Sequence, residues 1–311
     1  MARETVKVFA PATIANVAVG YDVLGFAING PGDVVILKKG TQPGLKISEI
    51  FGAKGKLPLD PEKNTAGYSA LRFLESIGAQ KEALEMTIYK KMPFGSGLGS
   101  SAASAVAGVF AVHELLKVGL DKRALLKFAV AGEQIADGAW HADNVAPSLL
   151  GGMNLIRDNK TLDIHKIHIP KGLQAVVIYP HITVLTKDSR AILSDTLTLK
   201  SHIIQNGNLG GFIIGMYNSD FELIKRSLED VIIEPQRAKL IPYFYEMKNL
   251  AMEAGALGFS ISGAGPSMFA LVNNSLVAED IVEKAKALYK NNKIRIKTYI
   301  SDINQEGAYM Y

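Results

Sequence analysis

The chain has 311 residues, 48% hydrophobic and 21% charged, a globular balance that excludes disordered, collagen-like and coiled-coil classes. It has no cysteine, which removes disulfides, thiolate nucleophiles, iron–sulfur clusters and cysteine zinc sites. A net charge of +4, evenly divided between the halves without a run of like charge, argues against a nucleic-acid face and suits a small anionic substrate.

Residues 6–10 alternate and read as a strand that gives way to a loop at Pro11; 33–37 and 45–50 read as further strands. A helix is predicted over 64–77, with Gly78 just past its end, then a strand over 85–90 that leads through Pro93 into Gly95-Ser96-Gly97-Leu98-Gly99-Ser100-Ser101. Helices follow at 102–116 and 121–137, the second with Asp121 as N-cap. The longest apolar run, 102–112, falls far short of the ~20 residues of a membrane span, and no apolar segment sits behind a basic stretch near Met1. A soluble, cytoplasmic protein with no membrane partner is expected. Past Gly151-Gly152, strands are predicted at 153–156 and 173–179, and the domain boundary is placed near residue 155, dividing 1–155 from 156–311. The second half offers helices at 188–194, 200–227 and 236–254, strands at 257–261 and 267–272, a helix at 277–291 and a strand at 294–300. Strands and helices mix without strict alternation, which makes the class α+β.

The strongest motif is the glycine loop after Pro93. Alternating glycines let the backbone approach a ligand, and the helix start behind them offers unpaired N–H groups and partial positive charge, a setting for phosphate. It is not a Walker loop, a dinucleotide fingerprint or a nucleophile elbow. A tight strand-to-helix turn with a serine cap is the structural alternative.

The run Pro93-x3-Gly97-Leu98-Gly99-Ser100-Ser101-Ala102 resembles the phosphate loop of the galactokinase, homoserine kinase, mevalonate kinase and phosphomevalonate kinase (GHMP) superfamily. Two more segments agree in order: Pro11-Ala12-Thr13-Ile14-Ala15-Asn16 with Gly20-Tyr21-Asp22-Val23-Leu24-Gly25, and Ser262-Gly263-Ala264-Gly265-Pro266-Ser267. Within the superfamily, His141-Ala142-Asp143-Asn144-Val145-Ala146-Pro147, Asp22–Gly25, Thr186-Lys187-Asp188-Ser189-Arg190 and Glu234-Pro235-Gln236-Arg237 are similar to the homoserine kinase family. Thr13 stands where a serine is more usual, and Val19-Gly20-Tyr21 departs from the common wording before Asp22.

The resemblance implies a two-domain fold, with an N-terminal domain like domain 2 of ribosomal protein S5 and a ferredoxin-like C-terminal domain. It implies ATP-dependent phosphorylation of the side-chain hydroxyl of L-homoserine in threonine biosynthesis, with Mg2+ and a homodimer. It assigns ATP to Pro93, Gly95, Ser96, Gly97, Leu98, Gly99, Ser100, Ser101 and Ala102, adenine to Asn64, and magnesium to Ser101 and Glu133. Lys90 would meet phosphate as a point charge. Asn16 and Asp22 would hold the acceptor's ammonium, Arg190 and Arg237 its carboxylate, with Thr186 and Gly263 beside them. Sugar and mevalonate members carry an aspartate base where Asn144 stands; an amide takes no proton, so catalysis by alignment with late proton loss is expected.

By residue type alone, Lys90 is a strand-surface lysine, Glu133 a solvated helix face, Asn64 an N-cap, Ser101 a helix cap, the arginines ion-pair partners, and Asn16 with Asp22 Asx-turn chemistry. His165 and His168 lack a third ligand nearby and make a poor zinc site; His141 reads as orienting its loop. Two other functions stay open: a superfamily kinase with another small hydroxylated acceptor, and a relative that has lost catalysis and senses a nucleotide or metabolite.

Overall fold

The computed structural model describes residues 3–138, 140–184 and 186–311, with the backbone alone at Asp137 and Thr186. In chain order the first part comprises β1 (Thr5–Ala15), β2 (Leu24–Lys39), β3 (Gly44–Phe51), α1 (Thr65–Ser76), β4 (Ala83–Tyr89), α2 (Ser100–Leu116), α3 (Leu126–Asp137), α4 (Val145–Leu150), β5 (Met153–Asp158) and β6 (Asp163–Ile167). Then come β7 (Gln174–Pro180), α5 (Thr186–Ala191), α6 (Leu199–Asn218), α7 (Phe221–Ser227), α8 (Glu234–Arg237), α9 (Phe244–Glu253), β8 (Gly258–Ile261), β9 (Met268–Val272), α10 (Ser275–Asn291), β10 (Ile296–Asp302) and β11 (Tyr309–Met310).

Among the described residues, seven strands form a sheet ordered β11-β1-β2-β4-β3, with β5 pairing β2 and β6 pairing β5. The long β2 serves two partners, β5 through residues 24–26 and β4 through 34–39. The strand predicted to stop at Pro11 continues to Ala15. Pro11 faces Gly32, and the register shifts between Pro11 and Thr13, a bulge where a residue without an N–H is tolerated. The division placed at residue 155 falls inside β5, and β5–β6 pairing carries this sheet on to Ile167. The two-residue β11 returns to the edge beside β1.

Four strands form the second sheet, order β10-β7-β9-β8, every neighbour antiparallel. With α10 between β9 and β10, and helices between β7 and β8, this is the βαββαβ pattern of the ferredoxin-like arrangement. The predicted 121–137 helix divides into a short 3-10 turn, Lys122–Leu125, capped by Asp121, and α3. The predicted 200–227 helix breaks at Ser219, in the left-handed region at φ 54°, where Asp220 caps a new start by accepting from Leu223 N–H. The 236–254 helix becomes α8, a 3-10 turn at Ala238–Leu240, and α9.

α2 is buried on nearly every face, as its Ala- and Gly-rich sequence allows. At Gly108 a side chain would strike the backbone of Ala66, so α1 and α2 cross closely. One core joins the first sheet, α2 and the inner face of the second sheet; Phe26 meets Phe269 edge-on at 6.0 Å. A second core lies between the second sheet, α9 and α10.

Candidate active site

The glycine loop is held from both sides. Leu98 C=O accepts from Thr13 N–H at 3.1 Å, Ser96 C=O from Ser267 N–H at 3.1 Å, and Gly97 C=O from the Ser262 hydroxyl at 2.6 Å. Gly97 and Gly99 sit at φ 75° and 65°. A Cβ on Gly97 would strike Ser262 C=O, and one on Gly99 would strike Thr13 Oγ1 and come within 2.7 Å of Asn144 Oδ1. The three segments singled out in the sequence thus meet at one loop. Gly99 is the N-cap of α2, and no side chain caps the helix. The serine-cap alternative therefore fails. The first N–H groups of a 17-residue helix are left to receive an anion.

Ser101 Oγ donates to Glu133 Oε1 at 2.8 Å, with Glu133 buried rather than on a solvated face. A hydroxyl and a carboxylate converging beside an anion-binding helix end are the hard oxygen donors that Mg2+ prefers. Ser100 points elsewhere, donating to Asp33 Oδ2 at 3.2 Å.

Two expectations change. Lys90 does not reach into the loop. It is buried beneath it, pairing with Asp33 and donating to Ser100 C=O and Ser104 Oγ, both at 2.7 Å. Three partners take its three donors, so it supports the start of α2 rather than meeting phosphate. Asp33, read only as the head of an apolar strand, also accepts from Lys91 and Met92 N–H. Asn64 does not present its amide to adenine: Oδ1 accepts from Ala66 and Gly67 N–H, and Nδ2 donates to Pro58 C=O. It is the α1 N-cap.

On the other side of the loop, Asn144 heads α4. Its Oδ1 accepts from Thr13 Oγ1 at 2.7 Å, which turns Nδ2 the other way. The neighbouring Asp143 is buried and accepts from His141 Nδ1 at 2.9 Å. His141 Nε2 accepts from Arg190 Nη2 at 2.8 Å, which places the imidazole proton on Nδ1. Arg190 holds Asp22 with a two-pronged contact, 3.1 Å to each carboxylate oxygen. Asp22, His141 and Asp143 bring oxygens and nitrogens within 4.8 Å of one another, and the guanidinium is the cation among them. His165 pairs with Asp163 instead.

Arg237 is buried, with Nε on Ser189 C=O, Nη1 on Gly263 C=O and Nη2 on Tyr21 Oη, and its charge sits 5.0 Å from the Tyr21 ring centre. Among the described residues, five donors and three partners leave two N–H groups for a ligand. Burial pushes its pKa down and that of Tyr21 up, Asp22 adding to the second effect. Asn16 is a knot: Nδ2 donates to Gly263 C=O, and Oδ1 accepts from Asp22 N–H. Gly263 N–H is taken by Ala15 C=O. Asn16 and Gly263 therefore shape the acceptor side and hold Asp22, with one Nδ2 hydrogen of Asn16 left over among the described residues. The Thr186 side chain lies outside the described residues. Sequence reading did not single out Tyr21 or the Asp33–Lys90 pair; the signal available for Asp33 was a lone carboxylate opening an apolar strand.

The family model for the N-terminal domain of GHMP kinases matches residues 64–152, and that for the C-terminal domain matches 209–291. The chain belongs to the GHMP kinase family. A homoserine kinase from Chlorobium phaeobacteroides is 44% identical, covering 98% of this chain and 99% of the relative. The crystal structure of a homoserine kinase from Cytophaga hutchinsonii superposes with a TM-score of 0.97 at 47% identity, covering 99% of this chain and 98% of that one. Mevalonate kinase from L. major shares the fold, with a TM-score of 0.71 at 16% identity over 96% of each chain. As in other GHMP kinases, helix and sheet mix in an α+β, two-domain plan. No helix of the described residues is long and apolar enough to cross a membrane.

Proposed function

We propose that this chain is a homoserine kinase: it transfers the γ-phosphoryl group of ATP to the side-chain hydroxyl of L-homoserine, giving O-phospho-L-homoserine and ADP for threonine biosynthesis. The observation that carries this reading is the Asp22–Arg190 pair, tied through His141 to Asp143, the residue preceding Asn144, whose amide in turn faces Gly99 of the phosphate loop. A zwitterion needs a carboxylate and a cation at one end and a hydroxyl site at the other, and this run of contacts supplies both. Binding exchanges the internal ion pair for two: the ammonium engages Asp22, and the carboxylate engages Arg190 and the two remaining N–H groups of Arg237. The relatives named homoserine kinase, similar over nearly the full chain, support the same substrate.

The α2 N-terminus and loop amides cradle the phosphates, and Nδ2 of Asn144 donates to the acceptor oxygen and aligns it. The reaction asks for little base strength, because the phosphoryl group is already loosely bound in the transition state; the hydroxyl proton leaves late, to a phosphoryl oxygen. Ser101 and Glu133 are the residues that would hold Mg2+, which when bound neutralises charge on the phosphate oxygens. The enzyme works in the cytoplasm as a homodimer.

A sugar acceptor would have no use for two arginines beside an aspartate, and a sensor that only binds nucleotide would release no ADP. The test is ADP release with Mg2+-ATP and a panel of L-homoserine, mevalonate, galactose and shikimate. Homoserine turns over fastest; faster turnover of another acceptor overturns the reading.

A further inference from the structure

We propose that α6 is the seam through which two copies of this chain pair, helix against antiparallel helix. The proposal gives the homodimer proposed above its face and rests on that reading. One side of this 20-residue helix buries Gln205, Phe212, Gly215 and Met216. The opposite side leaves Leu199 74%, Ile203 61%, Ile214 55% and Tyr217 56% exposed. With Gly207 and Gly210 these stand at spacings of four, four, three, four and three, which makes one continuous stripe.

Lys200 carries the only formal charge on α6. α10, which also faces solvent, carries Glu279, Asp280, Glu283, Lys284, Lys286 and Lys290. A large apolar stripe without charge is the composition of a covered surface. Gly207 and Gly210 would each meet open space if given a side chain, so nothing inside this chain requires glycine there. Glycine is also a poor helix former. Close approach of a second helix gives both positions a reason.

The stripe is self-complementary about the midpoint between Asn208 and Leu209. Glycine stands on each side of it, then isoleucine, then Leu199 and Tyr217. A twofold axis there lays glycine on glycine and seats Ile203 of one copy beside Ile214 of the other, an isologous contact. Antiparallel pairing also sets Lys200 near the other copy's helix C-terminus and opposes the helix dipoles. The exposed parts of Leu197, Leu199, Ile203, Ile204, Ile214 and Tyr217 amount to on the order of 600 Å² per copy, most of the ~800 Å² per partner of a standard interface.

The chain has no cysteine, so introduced thiols report alone. Light scattering gives a dimer for the full-length protein and a monomer with unchanged circular dichroism for Ile203→Glu/Ile214→Glu; Leu276→Glu, exposed on α10, leaves the dimer intact. Under mild oxidation Gly207→Cys cross-links to itself. Ile203→Cys mixed with Ile214→Cys cross-links, while neither does alone. A double-Glu variant that stays dimeric overturns the face and leaves the homodimer standing. Ile203→Cys cross-linking to itself overturns the antiparallel pairing. A monomeric wild type overturns both.

Discussion

Thr13→Val tests whether Asn144 works through its orientation. Valine keeps the shape of the fully buried threonine and removes one hydroxyl, the donor to Asn144 Oδ1 at 2.7 Å. That bond is what turns Nδ2 of the amide away from Thr13. A hydrogen bond of this kind contributes about 1–1.5 kcal/mol net, and each 1.4 kcal/mol is tenfold in rate, so kcat should fall about 5–10-fold. The KM for ATP should hold, because the loop's backbone bonds to Leu98, Ser96 and Gly97 are untouched. Thr13→Ser restores the donor and should restore kcat. The assay is steady-state ADP release at saturating ATP and homoserine, with thermal unfolding as a control. A kcat for Thr13→Val within twofold of wild type, alongside a large loss in Asn144→Ala, would refute the idea that Thr13 sets the amide.

Ser101→Ala or Glu133→Ala should raise the Mg2+ concentration needed for half-maximal rate and cut turnover by roughly 10²–10³, by analogy with other preorganised charge-stabilising contacts; unchanged Mg2+ dependence removes them from the metal site. Arg190→Lys keeps the charge but loses the planar fork that grips Asp22 and reaches His141, so the KM for homoserine should rise about tenfold while the KM for ATP holds; the reverse split would move Arg190 to the phosphates. Asp143→Asn should raise the KM for homoserine, because Asp143 acts through His141 on Arg190, and should keep most of kcat; a kcat collapse of ~10³ with binding intact would make Asp143 the base. Burial holds the Glu234 carboxyl above the usual range, opposed by Lys248. The folded state then binds more protons than the unfolded one between the ordinary and the raised pKa, so wild type should lose stability relative to Glu234→Gln as pH rises through that window. Denaturant midpoints from about pH 4 to about pH 8 that run parallel for the two proteins would contradict this.

What could be read in advance was whatever is written in neighbouring residues. The glycine loop, the α1 cap at Asn64 and the Asp121 cap depend on backbone a few residues away, and each appears at its predicted place. Pro11 misled because bulge tolerance depends on what lies across the ladder, here Gly32. The 200–227 helix misled because Ser219 and Asp220 carry no strong breaker signal, yet α6 and α7 must turn there to pack. Lys90 misled more instructively. A strand-end lysine before a phosphate loop looks available, and its partner Asp33 is 57 residues away. Asp22 and Arg190 were both named, but their pairing across 168 residues belongs to the packed chain.

The contacts of the acceptor side argue for alignment over base catalysis. Besides Glu133, which accepts from Ser101, three carboxylates lie near the glycine loop and the acceptor side. Asp33 is buried with Lys90 and the amides of Lys91 and Met92 just ahead of the loop. Asp22 is gripped by Arg190 through both oxygens. Asp143 holds His141, whose remaining nitrogen is already a hydrogen-bond acceptor for Arg190. Each therefore fixes a cation or an imidazole, and each would lose that grip by taking a proton from the substrate. Beside Gly99 stand Thr13 and Asn144; the amide oxygen of Asn144 lies toward Gly99 and takes the Thr13 hydroxyl, leaving its Nδ2 as a donor on the other side of the amide. A donor cannot deprotonate a hydroxyl, but it fixes the direction of the oxygen's lone pair. In the proposed reaction, with the uncapped α2 N-terminus turned to the phosphates, the chain would arrange the two reactants and let the phosphoryl group's own loosening lower the acidity demand on the hydroxyl.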